Sequence, residues 1–62
     1  RQLAVGIEVE MEHSSNREVA TQIAIDHLTE VSDYYTKLIA AGLVDEDAAI
    51  NKYKELYGEL PK

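Results

Sequence analysis

Apolar residues recur at helical spacing in the middle of the chain and predict a helix over about residues 16–30. Ser15 and Glu18 have the spacing of a capping box, in which each side chain accepts a hydrogen bond from a free backbone N–H at the helix start. Apolar positions three and four residues apart follow, as expected for one face of a helix. This stripe, with one histidine in it, comprises Ala20, Ile23, Ala24, His27, Leu28 and Val31.

A third helix is predicted from Ser32, a favourable N-cap residue, to Gly42. Gly42 can adopt the left-handed conformation that closes a helix, and Leu43 is then expected to pack back onto the last turn. The apolar stripe of this helix comprises Tyr35, Leu38 and Ile39.

Asp45 is the predicted N-cap of a fourth helix, with Val44 and Ala49 at the staple positions around it. Gly58 is expected to close this helix, and Pro61 marks the end of the pattern. The predicted buried face comprises Ala49, Ile50, Tyr53, Leu56 and Tyr57.

The first segment is compatible with two patterns. Apolar residues alternate with acids as they do in a strand, at Val5, Ile7, Val9 and Met11. A helical stripe is also present, at Leu3, Ala4, Ile7 and Met11. A lone strand among three helices would have no partner within the chain, and an unpaired edge is unfavourable. We therefore favour a helix over residues 2–13, with a strand as the alternative if two chains pair through it.

These elements predict an all-α fold, with three to four short helices in a compact bundle that spans residues 1–62 as one domain. Because the chain of 62 residues begins with Arg1 and not with Met, we expect a fragment or module of a larger or processed protein. A domain of this length buries only about 60% of the surface of its unfolded chain. Its core is therefore thin, and we expect a protein partner or self-association.

The charge of the chain excludes several partners. Twelve acidic residues against six lysines and arginines give a net charge of −6. Nucleic-acid binding needs clustered cations, as does adhesion to anionic membranes, and here the cations are scattered. They are Arg1, Arg17, Lys37, Lys52, Lys54 and Lys62. We expect no nucleic-acid or membrane partner, and a location in the cytoplasm of a bacterial host or in a virion.

His27 is the residue most suggestive of chemistry, because helical steps of about 100° place it in the middle of the apolar stripe. An imidazole there needs a polar partner, and Glu30 lies one turn further along the same helix. Carboxylates and imidazoles that converge from two helices build di-metal sites in helical bundles. The candidate ligands for zinc, iron or manganese are Glu8, Glu12, His13, His27 and Glu30.

A buried network of glutamate and histidine side chains, without metal, is the alternative that we favour for the same residues. Glu10 is predicted to face solvent. Of the adjacent tyrosines, Tyr35 is expected in the core and Tyr34 at its rim. The chain has neither a glycine-rich phosphate loop nor a nucleophile elbow, so we expect no enzyme activity.

Three stretches resemble a small domain family of unknown function that occurs in bacteriophage and bacterial proteins. They are GIEVEMEH at 6–13, IAIDHLTE at 23–30 and DYYTKL at 33–38. The family pattern reads G-x-E-x-E-x-E-H, I-A-x-x-H-L-x-E and D-Y-Y-x-x-L. The resemblance covers a little over half of the chain and implies a phage or prophage setting, often as a module attached to other phage proteins.

We therefore predict a non-catalytic structural or protein-interaction module, related to phage or prophage proteins. One alternative is a metal-binding domain that uses the glutamate and histidine cluster. A second is an acidic inhibitor that imitates nucleic acid and binds a host nucleic-acid-binding protein, which the charge of −6 suggests.

Overall fold

The computed structural model describes residues 2–60, which form four α-helices and no strand. The predicted all-α bundle is confirmed. Arg1, Pro61 and Lys62 lie outside the described residues. The helices are α1 (Gln2–Glu10), α2 (Arg17–Glu30), α3 (Tyr34–Ala40) and α4 (Glu46–Tyr57).

The first segment is a helix, and it lies at the centre of the bundle. α1 packs against α2, α3 and α4, so its side chains are covered on nearly every side. This burial explains why its apolar positions do not follow a single helical stripe. The helix ends at Glu10, earlier than predicted, and the chain continues in a turn in which the Glu12 N–H donates to the Val9 carbonyl and the His13 N–H donates to the Glu10 carbonyl, each three residues back.

The N-cap of α2 is Asn16 and not Ser15, so the predicted capping box is wrong. The Asn16 Oδ1 accepts hydrogen bonds from the backbone N–H of Glu18 at 2.9 Å and of Val19 at 3.3 Å. Asn16 is held in place by Ser14, whose Oγ accepts from the Asn16 N–H at 3.2 Å. One side chain thus satisfies two of the four free N–H groups at this helix start.

The start of α3 is capped by a side chain from another helix. Its N-cap residue is Asp33 and not the predicted Ser32, and the Asp33 side chain makes no capping hydrogen bond. Instead, Gln2 of α1 accepts from the Thr36 N–H at 3.2 Å through Oε1 and donates to the Ser32 carbonyl at 2.8 Å through Nε2. The first residue of α1 therefore fixes the turn between α2 and α3.

Gly42 ends α3 as predicted. Its φ is +75°, and the Leu43 N–H donates to the Leu38 carbonyl at 3.0 Å while the Gly42 N–H donates to Ile39, which is a Schellman motif. Leu43 itself is 73% exposed, so the prediction that it packs back onto the helix is wrong.

Asp45 caps α4 as predicted, with its Oδ1 accepting from the Ala48 N–H at 3.1 Å. Gly58 closes the helix with a φ of +88°. Leu56 is exposed and does not belong to the buried face. Arg17 joins α2 to α4, because its guanidinium donates to the Tyr53 hydroxyl at 3.2 Å and lies 4.0 Å above the Tyr57 ring centre.

The core is small and centred on α1. Three side chains in it are both large and almost completely enclosed, namely Tyr35, Ile7 and Val5. The full set of buried residues in the main cluster is Ala4, Val5, Ile7, Ala24, Tyr35, Ile50 and Tyr53. Tyrosine supplies much of the core volume, and its hydroxyl needs a polar partner when buried.

Candidate functional site

Gly6 lets the Tyr35 ring lie directly against the backbone of α1. A Cβ at position 6 would lie 2.8 Å from the Tyr35 Cζ, closer still to its Cε2, and 3.0 Å from the Ala24 Cβ. Atoms do not approach this closely without displacement, so no larger residue fits while Tyr35 keeps its position. A glycine in the middle of a helix is explained here by the close packing of three helices.

The buried Tyr35 hydroxyl donates a hydrogen bond to the Glu10 carboxylate. The distance from its oxygen to the Glu10 Oε2 is 2.9 Å, and Glu10 is only 8% exposed. Burial of the phenol and the adjacent carboxylate raise the pKa of Tyr35 well above its usual value, so the group stays protonated. The prediction that Glu10 faces solvent is wrong, because α3 covers that side of α1.

His27 lies at the edge of this pair. Its Nε2 is 3.6 Å from the Glu10 Oε2, a separation that permits an ion pair when the imidazole is protonated. The imidazole stacks on the Tyr34 ring at 4.6 Å between centres, and Tyr34 packs edge-on against Tyr35 at 5.0 Å. We call Glu10, His27, Tyr34 and Tyr35 the polar cluster; it joins α1, α2 and α3.

The structure does not bring the five predicted metal ligands together. His27 belongs to the polar cluster, whereas Glu8, Glu12 and His13 line a groove elsewhere on the surface. Glu30 is exposed at the end of α2 and belongs to neither. Within residues 2–60, no group of three or more histidine, aspartate or glutamate side chains is arranged to hold a metal ion.

The groove that Glu8, Glu12 and His13 line lies between the end of α1, the end of α3 and the start of α4. It has a volume of about 450 Å³ and is open to solvent. We call it the α1/α4 groove. Its apolar walls are formed by Val9, Leu38, Leu43, Val44, Ala48 and Ala49. Its polar lining residues are Glu8, Glu12, His13, Asp45 and Lys52.

Glu8 differs from the other acids of the groove. It is 8% exposed, and its Oε1 is buried with no hydrogen-bond partner among residues 2–60. Glu12 is exposed to water, and Asp45 uses one oxygen to cap α4. Glu8 and Glu10 are two residues apart and so point about 200° apart around α1, which places the groove and the polar cluster on opposite sides of that helix.

The sequence of the chain matches the model of a known family. A model described as "Protein of unknown function (DUF5661)" matches residues 1–42. The chain belongs to this family. No curated protein and no solved structure matches it.

The DUF5661 match covers α1, α2 and α3 and ends at Gly42. The polar cluster therefore lies entirely within the matched residues. The α1/α4 groove combines matched residues, such as Glu8 and Leu38, with residues beyond the match, such as Val44 and Lys52. The predicted membership of a family of unknown function is confirmed.

The sequence pattern predicts Glu8, Glu12 and His13 as metal ligands or members of a polar network, and it gives no indication of the apolar half of the groove. It predicts that Leu43 is covered, and for the linker before α4 it predicts only a cap and a staple. A large apolar residue directly after a helix-closing glycine is a local signal, but it does not tell whether a neighbouring helix covers that residue.

No helix in the described part of the chain, residues 2–60, is long and apolar enough to cross a membrane.

Proposed function

We propose that this chain is a non-catalytic protein-interaction module of a phage or prophage protein, which binds a segment of a partner protein in the α1/α4 groove. The observation that carries the proposal is a concave apolar surface beside Leu43, a leucine that is 73% exposed. Contiguous apolar surface that is left exposed marks interaction sites in soluble proteins. The phage setting, in the host cytoplasm or in the virion, rests on the sequence resemblance.

The chemistry of the groove supports binding. No hydroxyl or thiol side chain lines it within residues 2–60. Its polar residues are three acids, one lysine and one histidine, which suit the recognition of charge beside an apolar contact. The polar cluster has a different role in this proposal: its hydrogen bond and ring stacking stabilise the packing of α3 on α1 and α2.

A peptide selection tests the proposal. The chain is immobilised and exposed to a random peptide library, and selected peptides are titrated into the ¹⁵N-labelled chain. We expect peptides with a shared apolar residue, which shift the amide signals of Glu8, Val9, Glu12 and His13 and of the segment from Leu43 to Lys52.

The variant L43S should weaken binding of these peptides about tenfold, because it removes a leucine side chain from the contact. L56S is the matched control, since Leu56 is also an exposed leucine but does not line the groove. Peptides that bind both variants and the native chain equally, or that shift only signals outside the groove, would contradict the proposal.

A further inference from the structure

We infer that the partner segment carries a basic side chain next to its apolar residue, and that the cation pairs with Glu8. This inference rests on the proposed binding role of the α1/α4 groove. It concerns what the groove recognises, and it begins with the carboxylate that has no partner.

The buried Oε1 of Glu8 has no hydrogen-bond donor among residues 2–60. Its side chain lines the groove, yet its Oε1 is enclosed and accepts no hydrogen bond from residues 2–60. A buried polar atom without a partner lowers stability, and a charged one does so more strongly. A cation that a ligand places in the groove beside Glu8 offsets the charge of this carboxylate, and an ammonium or guanidinium group brings a donor and a positive charge together.

The other charges of the groove do not already meet this need. Lys52 lines the same groove but forms no ion pair with Glu8 among the described residues. Glu12 and Asp45 add further negative charge, and the whole chain has a net charge of −6. The electrostatic field of the groove therefore favours a cationic segment over a neutral or acidic one.

The apolar walls of the groove indicate what the rest of the partner's basic side chain contacts. Lysine and arginine bury their methylene stems along apolar surface while the charged head reaches a polar partner. Val9, Val44 and Ala48 line the same groove as Glu8 and offer such a surface. An alkyl chain that ends in a cation therefore matches both parts of the groove.

Three probes of equal chain length separate the contribution of charge from that of apolar contact. Hexylammonium, hexanol and hexanoate are titrated separately into the ¹⁵N-labelled chain, and dissociation constants are taken from the groove amide shifts. We expect hexylammonium to bind about fivefold more tightly than hexanol, which corresponds to about 1 kcal/mol, and hexanoate to bind most weakly.

E8Q keeps the shape of the side chain and removes its charge. In this variant the preference for hexylammonium over hexanol should fall to less than about twofold, while hexanol binds as before. E12Q is the matched control, because Glu12 lines the same groove but is exposed. It should keep most of the preference. E8Q should also melt no lower than the native chain, since it removes a buried unpartnered charge.

The outcomes distinguish the two proposals. If hexylammonium and hexanol bind the native groove equally well, the inference about the cation is wrong and the apolar binding role stands. If the preference for hexylammonium over hexanol survives in E8Q and disappears in E12Q, the cation pairs with Glu12 and not with Glu8, and the inference is overturned. If no probe shifts the groove amides, and the peptide selection also fails there, the proposed function is wrong.

Discussion

Replacing Gly6 with alanine tests the close packing of α1, α2 and α3 most sharply, because two opposing effects on stability have known magnitudes. In the middle of an exposed helix, alanine is more favourable than glycine by about 1 kcal/mol. At position 6, however, the added methyl group overlaps the Tyr35 ring and contacts the Ala24 Cβ at 3.0 Å. Overpacking of this kind costs about 1–3 kcal/mol.

Displacement of the Tyr35 ring has a second cost. It weakens the hydrogen bond to the Glu10 carboxylate, and a hydrogen bond to a charged group contributes about 1.5–3 kcal/mol. With the helix-propensity gain subtracted, we expect G6A to lower the free energy of unfolding by about 2 kcal/mol. For a domain of this size that corresponds to a fall in Tm of about 10 °C.

The assay is thermal and urea unfolding followed by circular dichroism at the helix band. The other glycines give no matched control, because Gly42 and Gly58 have positive φ. A double variant serves instead: in a Y35L background the ring is absent and only the Ala24 Cβ contact at 3.0 Å remains, so G6A should destabilise much less than it does in the native chain. If G6A alone raised the Tm, as it would in an open helix, the close contact between Gly6 and Tyr35 would be refuted.

Three further outcomes follow from the same contacts. Y35F leaves the buried Glu10 carboxylate without its hydroxyl donor and should lower the unfolding free energy, measured by urea titration, by about 1–3 kcal/mol. Y34F, at the rim of the polar cluster, should change the unfolding free energy by less than about 0.5 kcal/mol. The pKa of Tyr35 is higher in the folded chain than its usual value of 10.0, so the contribution of its protonated hydroxyl to stability is complete below about pH 10 and is lost as the pH rises further. Urea midpoints measured from pH 8 to 11 should therefore fall more steeply for the native chain than for Y35F. Parallel curves for the two proteins would contradict the argument. N16A removes the cap of α2 and should cost about 1 kcal/mol, while S15A should have little effect; the reverse order in thermal melts would restore the predicted capping box.

The burial of Glu10 illustrates why the site could be predicted only in part. The sequence pattern predicts that the imidazole at position 27 turns towards Glu8, Glu12 and Glu30, but the carboxylate beside it in the structure is that of Glu10. A helical wheel favoured Glu8 and Glu12, because they share a face and are one turn apart. The wheel gives angles around one helix only, and the position of α3 decides that the side of α1 with Glu10 is covered.

The sequence alone determined the features whose causes are local. The stop at Gly42, the cap at Asp45 and the stop at Gly58 each depend on residues within one or two turns of one another, so spacing is enough to predict them.

Only the tertiary structure decided the features that depend on residues distant in the chain. Gln2 caps α3 from 34 residues away, and Gly6 is required by a ring that another helix supplies. Leu43 stays exposed because none of the helices within residues 2–60 covers its side chain. The physical reason is the same in each case: a hydrophobic pattern records which side chains avoid water, but the relative positions of the helices determine which neighbour each side chain contacts.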